Sequence, residues 1–322
     1  MEREMKKYIP IVLSSDDNYS PFIAVTIASA CYTTKEHLKF YIFDSGISNL
    51  HKQQIISLKK SFSNFDINFI AIDDSSFAHL PSCQGFPLAM YSRLLIPQLC
   101  QESRILYSDV DVVFMNDIAE FYNQDITGYA LGGIFHAHYI EKISMRRSAY
   151  TTLGIPLEHK YFYGGNLLID CDTWRKRDIS HQLIEVARKY AKALRLGDQD
   201  VLNIFFACNY KQLDYKFCLT TQDCEFFKRT DKNEYQRLLK DVVVRHFETR
   251  RKPWLTNMYT ATKDIDHFQD FWFFASLTPF YAGLQQFFLS SILEDKPQEI
   301  IGNVSINNEM LKKLRESIKK NI

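Results

Sequence analysis

Arg104-Ile105-Leu106-Tyr107-Ser108-Asp109-Val110-Asp111-Val112-Val113-Phe114 sets two carboxylates inside an otherwise apolar, β-branched run. The run reads as a buried strand. Residues two apart share a strand face, so Asp109 and Asp111 would converge at its exit. An isolated D-x-D is more often a pair of solvated loop carboxylates. Here the apolar flanks make unpaired charge expensive and turn the reading toward oxygen ligands for a hard cation, magnesium or manganese.

Working outward, strand and helix patterns alternate. Tyr8 to Ser14 (YIPIVLS) is a short apolar run for a buried strand, and Pro21 to Tyr32 reads as a helix with proline near its first turn. Lys39 to Asp44 repeats the strand pattern, Ser48 can cap a helix over Asn49 to Phe62, and Asp66 to Ile72 is a third strand. Met90 to Leu99 reads as a helix that Pro97 ends or kinks. Tyr129 to Phe135 and Gly165 to Ile169 are further strand candidates, followed by helical stretches at Ile179 to Leu196 and Asp200 to Ala207. Such alternation predicts an α/β fold with a parallel or mixed sheet. Ligands in these sheets lie at the carboxyl ends of the strands, where the Asp16 loop and the Asp111 exit would both open.

Composition narrows the function classes. With 322 residues, 46% hydrophobic and 24% charged, the chain is neither disordered nor a disulfide miniprotein. A formal charge of +1 gives no bulk attraction to nucleic acid, which is not expected as a partner. The seven cysteines form no C-x-x-C pair and the start, MEREMKKYIPIVLSS, lacks the apolar core of a secretory signal, so reduced thiols and a cytoplasmic location are expected. No charge falls between Phe271 and Leu293, a length that would suit a membrane span. Pro279, Gln285, Gln286, Ser290 and Ser291 argue against spanning. A boundary is expected after Lys252-Pro253-Trp254, with residues 256–322 forming an appended helical segment that turns aromatic and then basic. Lys312, Lys313, Arg315, Lys319 and Lys320 could meet anionic headgroups, giving peripheral membrane contact; an ordinary helical pair packed on the domain explains the aromatics equally well.

Five ordered motifs resemble one family. Ser14-Ser15-Asp16-Asp17-Asn18-Tyr19 follows the first strand, Tyr91-Ser92-Arg93-Leu94 matches Y-x-R-L, and Leu106 to Asp111 matches a D-x-D metal motif. Asp198-Gln199-Asp200-Val201-Leu202-Asn203 matches D-Q-D-x-L-N, and His246 with Lys252-Pro253-Trp254 matches a late H-x5-K-P-W signature. Together they resemble the retaining nucleotide-sugar glycosyltransferases of family 8, which include bacterial lipopolysaccharide galactosyl- and glucosyltransferases. The resemblance implies the A-type glycosyltransferase fold, a Rossmann-like mixed sheet flanked by helices, with residues 1–255 as the nucleotide-sugar-binding catalytic domain. It implies Asp109, Asp111 and His246 on manganese or magnesium, and Asp16, Asn18, Tyr19, Arg93 and Lys252 on a UDP-sugar donor. Asp198 and Gln199 would lie beside the reacting sugar. The implied reaction moves a hexose, galactose or glucose, to a cell-surface glycan or glycolipid such as lipopolysaccharide or lipooligosaccharide core.

The chain departs from the family pattern at three places. Tyr163-Gly164-Gly165-Asn166 stands where the family has Asn-Ala-Gly or Asn-Ser-Gly, His136 where many members carry an aspartate, and Thr249 where a glycine is usual. These departures keep a catalytically silent nucleotide-sugar binding protein among the alternatives. Asp109-x-Asp111-x-Val113 also fits the opening motif of haloacid-dehalogenase-type phosphatases, although that motif normally begins its domain.

Overall fold

A computed structural model describes residues 8–83, 88–140, 150–249, 252–255 and 265–294. Its N-terminal part, to Ala71, is a run of βα units. Strand β1 (Tyr8–Ser15) is buried along nearly its whole length, as its continuous apolar run requires of a strand covered on both faces. Helix α1 (Ser20–Thr33) leads to β2 (His37–Asp44), and α2 (Asn49–Ile56) to β3 (Phe65–Ala71). The Ser48 hydroxyl accepts from His51 N–H and caps α2, as the sequence suggests.

The strands β3, β2, β1 and β4 (Arg104–Ser108) run parallel. Antiparallel β7 (Asn166–Asp170) follows β4, then β6 (Leu131–Ile134) and β8 (Lys211–Leu213), completing a mixed sheet of seven strands in the order β3-β2-β1-β4-β7-β6-β8. A second sheet of three strands sets β10 (Val244–His246) between β5 (Val112–Phe114) and β9 (Leu219–Thr220).

The expected single strand from Arg104 to Phe114 is therefore two strands in two sheets, broken at Asp109-Val110-Asp111. Side chains and backbone from elsewhere satisfy the polar groups at the break. Asp109 N–H donates to Gly165 O at 2.7 Å, and Phe247 N–H donates to Asp111 O at 2.9 Å. The Thr26 hydroxyl of α1 donates to the carbonyls of Val110 and Val112 at 3.0 and 3.1 Å. These partners take up backbone groups that the break removes from a continuous ladder, which lowers the desolvation cost of changing sheets. The two carboxylates sit in this switch, not along one strand face.

Other boundaries also shift. Met90 to Leu99 is a 3-10 helix (Leu88–Leu95) followed by one α turn (Ile96–Leu99), with Pro97 in the first turn of the latter, where its missing N–H costs nothing. The second helix ends at Ile56 and continues as a 3-10 turn, and the helix expected to reach Leu196 ends at Lys189.

Helix α1 is buried nearly all round, from Phe22 to Cys31, which fits a helix with neighbours on both sides. Its outer neighbour is the helix Phe268–Ser276. Phe22, Trp254 and Phe271 form an aromatic stack with Phe22–Trp254 centroids 4.2 Å and Trp254–Phe271 centroids 4.8 Å apart. Phe271, Phe274 and Leu284 join the same core as β1 and α1. None of the described helices is long and apolar enough to cross a membrane. The basic end, with Lys312 to Lys320, and the neighbours Arg250 and Arg251 lie outside the described residues.

Candidate active site

The parallel pairing of Val12 with Tyr107 brings the carboxyl ends of β1 and β4 to the same edge of the sheet. The Asp16 loop and Asp109-Asp111 open there side by side. His246, the last residue of β10, pairs with Val112 of β5, so the smaller sheet delivers its imidazole onto the two carboxylates. Potential ligand atoms of Asp109, Asp111 and His246 all lie within 4.8 Å of one another. His246 Nε2 is 3.0 Å from Asp111 Oδ1 and 3.8 Å from Asp109 Oδ2. The histidine is buried, whereas Asp109 keeps 27% of its side-chain exposure, so the cluster has one open side.

Two carboxylate oxygens and an imidazole nitrogen are a donor set for manganese or magnesium with positions left for substrate oxygens. Gly165 bears on this fit. A Cβ there would lie 2.5 Å from Asp109 Oδ2 and 2.7 Å from His246 Cε1, so the carboxylate and the imidazole can gather only because residue 165 has no side chain.

Asp111 also accepts a charge-assisted hydrogen bond from Lys252 Nζ, which donates to Phe247 O as well. Burial opposes the charge on Asp111, but Lys252 and His246 outweigh it and hold the carboxyl well below its usual range. Burial likewise opposes charge on His246, and the attraction and hydrogen bond of Asp111 overcome it, moving that pKa up.

Arg93 gathers the other half of the site. Its Nη1 donates to Gly164 O at 2.5 Å and its Nη2 to Asp109 Oδ1 at 3.1 Å, while Tyr107 OH donates to the same oxygen at 2.8 Å. The guanidinium lies over the Tyr107 ring and its Nε is 2.5 Å from Asp198 Oδ2. That last pair is not aligned as a hydrogen bond, so its attraction is electrostatic. Gln199 Oε1 accepts Gly164 N–H at 2.8 Å, which aims the amide at the strip between Arg93 and the carboxylates.

The D-Q-D-x-L-N segment divides its labour along the helix Asp198–Phe205. Asp198 and Gln199 turn to the site. Asp200 accepts the N–H groups of Arg195 and Leu196 at 2.7 and 2.8 Å and the Tyr161 hydroxyl at 2.5 Å. Asn203 bonds both backbone groups of Phe162, at 2.8 and 2.9 Å, and so clamps the helix to the segment carrying Tyr163, Gly164 and Gly165.

Burial raises the Asp198 carboxyl from its usual 3.8 to about 6, with Arg93 opposing and Asp109 adding to the shift. The folded state then binds more protons than the unfolded chain between these values, so this group's contribution to stability declines as pH rises from about 4 to 6. The stability of Asp198→Asn minus that of the wild-type protein should therefore climb across pH 4 to 6 and level off above it, a change on the order of 2–3 kcal/mol that thermal melts follow. A flat difference in thermal melts would remove the shift.

Asp16, Asn18 and Tyr19 form a locally bonded turn at the same edge. Asp16 Oδ1 accepts Tyr19 N–H at 3.0 Å and Asp16 Oδ2 accepts Asn18 Nδ2 at 3.3 Å, and all three residues are exposed at the sheet edge. No side chain caps α1, whose first amides follow Tyr19 directly. Of the departures, Tyr163 sends its hydroxyl to Thr220 Oγ1 at 2.8 Å and packs on His136, while Asn166 donates to Ser108 Oγ at 2.9 Å. Thr249 is half-buried beyond β10. Sequence reasoning missed Tyr107, the steric role of Gly165, and Cys218, whose Sγ is 3.6 Å from His246 Nδ1. Only Tyr107 carried a signal, as part of the D-x-D stretch.

Comparison with known proteins gives the class first. A solved structure entitled galactosyltransferase LgtC in complex with donor and acceptor sugar analogues superposes with a TM-score of 0.72, covering 84% of this chain and 96% of that one at 23% identity. The architecture is thus the A-type glycosyltransferase fold. Residues 10–258 match the model of glycosyl transferase family 8, and the chain belongs to that family. It is 29% identical over 247 residues to a Haemophilus influenzae protein named as a glycosyltransferase, covering 76% of this chain and 72% of that one. It is 27% identical over 212 residues to the lipopolysaccharide 1,3-galactosyltransferase of Salmonella typhimurium, covering 64% of this chain and 62% of the relative, less than two thirds of its length. The chain is a glycosyltransferase, and the phosphatase and silent-binder alternatives give way to it.

Proposed function

We propose that the enzyme transfers a hexose, galactose or glucose, from a UDP-sugar to a cell-surface glycan such as lipopolysaccharide or lipooligosaccharide core, with retention at the anomeric carbon. The observation that carries this reading is the Asp109, Asp111 and His246 cluster, open at the sheet edge beside the tethered Gln199 amide. Manganese or magnesium held by those three side chains would supply Lewis-acid stabilisation of the departing diphosphate.

The chain's own residues do the remaining work. Asp16, Asn18 and Tyr19 present an exposed polar and aromatic loop for the nucleoside at the mouth of the sheet. Lys252 brings a cation to the edge of the cluster, where charge builds on the leaving group. Arg93 holds Asp109 and the Gly164 carbonyl in place, and Gly164 in turn orients Gln199. An amide is a feeble nucleophile, and this one is already hydrogen-bonded to backbone. Its tether favours a positioning role and a same-face attack, in which the leaving phosphate helps deprotonate the acceptor.

An α-linked donor should therefore yield an α-linked product, read from the anomeric proton coupling constant, and Gln199→Ala should keep residual activity. A β-linked product overturns retention, and a glycosyl adduct trapped on Gln199 overturns the same-face route. Manganese with a panel of nucleotide sugars identifies the donor. The same reading sets the enzyme in the cytoplasm, with exposed Phe273 and Phe287 and the basic residues from Lys312 to Lys320 supporting peripheral contact with an anionic membrane.

A further inference from the structure

His246 turns one ring nitrogen, Nε2, toward Asp111 and Asp109, and the other, Nδ1, toward Cys218 Sγ at 3.6 Å. For Nε2 to offer a lone pair to a cation, the ring proton must sit on Nδ1. That N–H then needs an acceptor. Metal-bound histidines usually find one in a carboxylate, a backbone carbonyl or water, and this outer partner sets the tautomer and ring orientation. Here the partner is a thiol. Cys218 is fully buried immediately before β9, and the parallel pairing of β9 with β10 sets Thr220 beside His246, so the sulfur is delivered by the same small sheet that delivers the imidazole.

The rest of the ring's surroundings are fixed as well. Tyr163 packs edge-on to His246 with centroids 6.3 Å apart. Its hydroxyl is held by Thr220 Oγ1, which donates to Asp223 Oδ2 at 2.8 Å.

We propose that Cys218 is a positioning residue of the metal centre, its sulfur accepting the Nδ1–H of His246 and so keeping the Nε2 lone pair turned toward Asp109 and Asp111. The assignment rests on the reading of Asp109, Asp111 and His246 as metal ligands. A thiol is a weak acceptor, which orients the ring without adding a third negative charge to the two carboxylates.

Titration of the full-length protein with manganese alone, following the electron paramagnetic resonance signal of free Mn2+, tests it without turnover. Cys218→Ala and the similarly sized Cys218→Val, which both lack an acceptor, should bind manganese about 10-fold more weakly. Cys218→Ser, whose hydroxyl can accept the same N–H, should recover part of the affinity. Wild-type affinity in both the alanine and valine variants overturns the role. If alanine fails to fold by circular dichroism, serine against valine decides: tighter binding by serine supports the proposal and equal binding overturns it. Asp111→Asn in the same titration separates the two readings. Lost binding there with unchanged Cys218 variants defeats the cysteine role alone, whereas unchanged binding in Asp111→Asn defeats the metal reading beneath it.

Discussion

Asp111→Asn should abolish sugar transfer while leaving the protein folded. The carboxylate touches both His246 Nε2, at 3.0 Å, and Lys252 Nζ. Replacing it with an amide removes a negative charge from between two positive partners, so on the proposed metal reading the cluster loses a ligand and attracts a cation less. Metal-assisted departure of a leaving group is worth several kcal/mol, and each 1.36 kcal/mol is tenfold in rate, so the loss should be on the order of 10³-fold or more. Stability should suffer less. His246 owes its raised pKa to Asp111, and without that carboxylate burial favours the neutral imidazole, which removes one of the two stranded charges. A decrease of about 1–3 kcal/mol, a few degrees in Tm, is expected. Transfer assays with and without manganese, beside thermal melts, check both parts. Full activity in the variant, or in the wild-type protein under excess chelator, would falsify the assignment.

Gly165→Ala should have the second largest effect, though the substitution adds only a methyl group. Its Cβ would lie 2.5 Å from Asp109 Oδ2, 3.1 Å from Asp109 Cγ and 2.7 Å from His246 Cε1. Neither neighbour is free to yield. Asp109 Oδ1 is tied to Arg93 and Tyr107, and His246 is held between Asp111 and Cys218. The backbone of Gly165 cannot retreat cheaply either, because its carbonyl accepts Asp109 N–H at the sheet switch. Overpacking of this kind costs about 1–3 kcal/mol, and a ligand displaced by ~1 Å costs on the order of 10² in rate. Both kcat/KM and manganese affinity should fall together. Gly283→Ala, where a Cβ would meet nothing within 4 Å, serves as the unaffected control. Wild-type manganese affinity in Gly165→Ala would show that the cluster tolerates the methyl group and that its spacing is not set by this glycine.

How much of this was legible beforehand depends on the range of the interaction. The first three strands and two helices follow from local patterns. The run Tyr8 to Ser15 is apolar on both faces because it is covered on both, and Ser48 caps α2 through a bond only three residues long. Motif identity was equally local, since Asp109, Asp111, Gln199, His246 and Lys252 are recognisable from their immediate neighbours. The break in Arg104 to Phe114 was not legible. Nothing in that run signals a change of sheet, because what permits it is the Thr26 hydroxyl of α1, the carbonyl of Gly165 and the amide of Phe247. The division of roles in Asp198 to Asn203 was hidden for the same reason, the partners of Asp200 and Asn203 including Tyr161 and Phe162.

By itself, the sequence determined the alternation of strands and helices, the family, and the inventory of chemically able side chains, since each depends on neighbours within a few residues. Only the tertiary structure decided which of them meet. Asp111 and His246 are 135 residues apart in the chain and Lys252 is 141 from Asp111, so their contact depends on the long-range pairing of β10 with β5. Whether a residue there acts as ligand, counter-charge or spacer follows from packing distances of a few ångströms, and those arise from every element that presses on the site. Gly165 and Cys218 show this plainly: one matters for the atom it lacks and the other for the nitrogen it faces, and neither property is written in its neighbours.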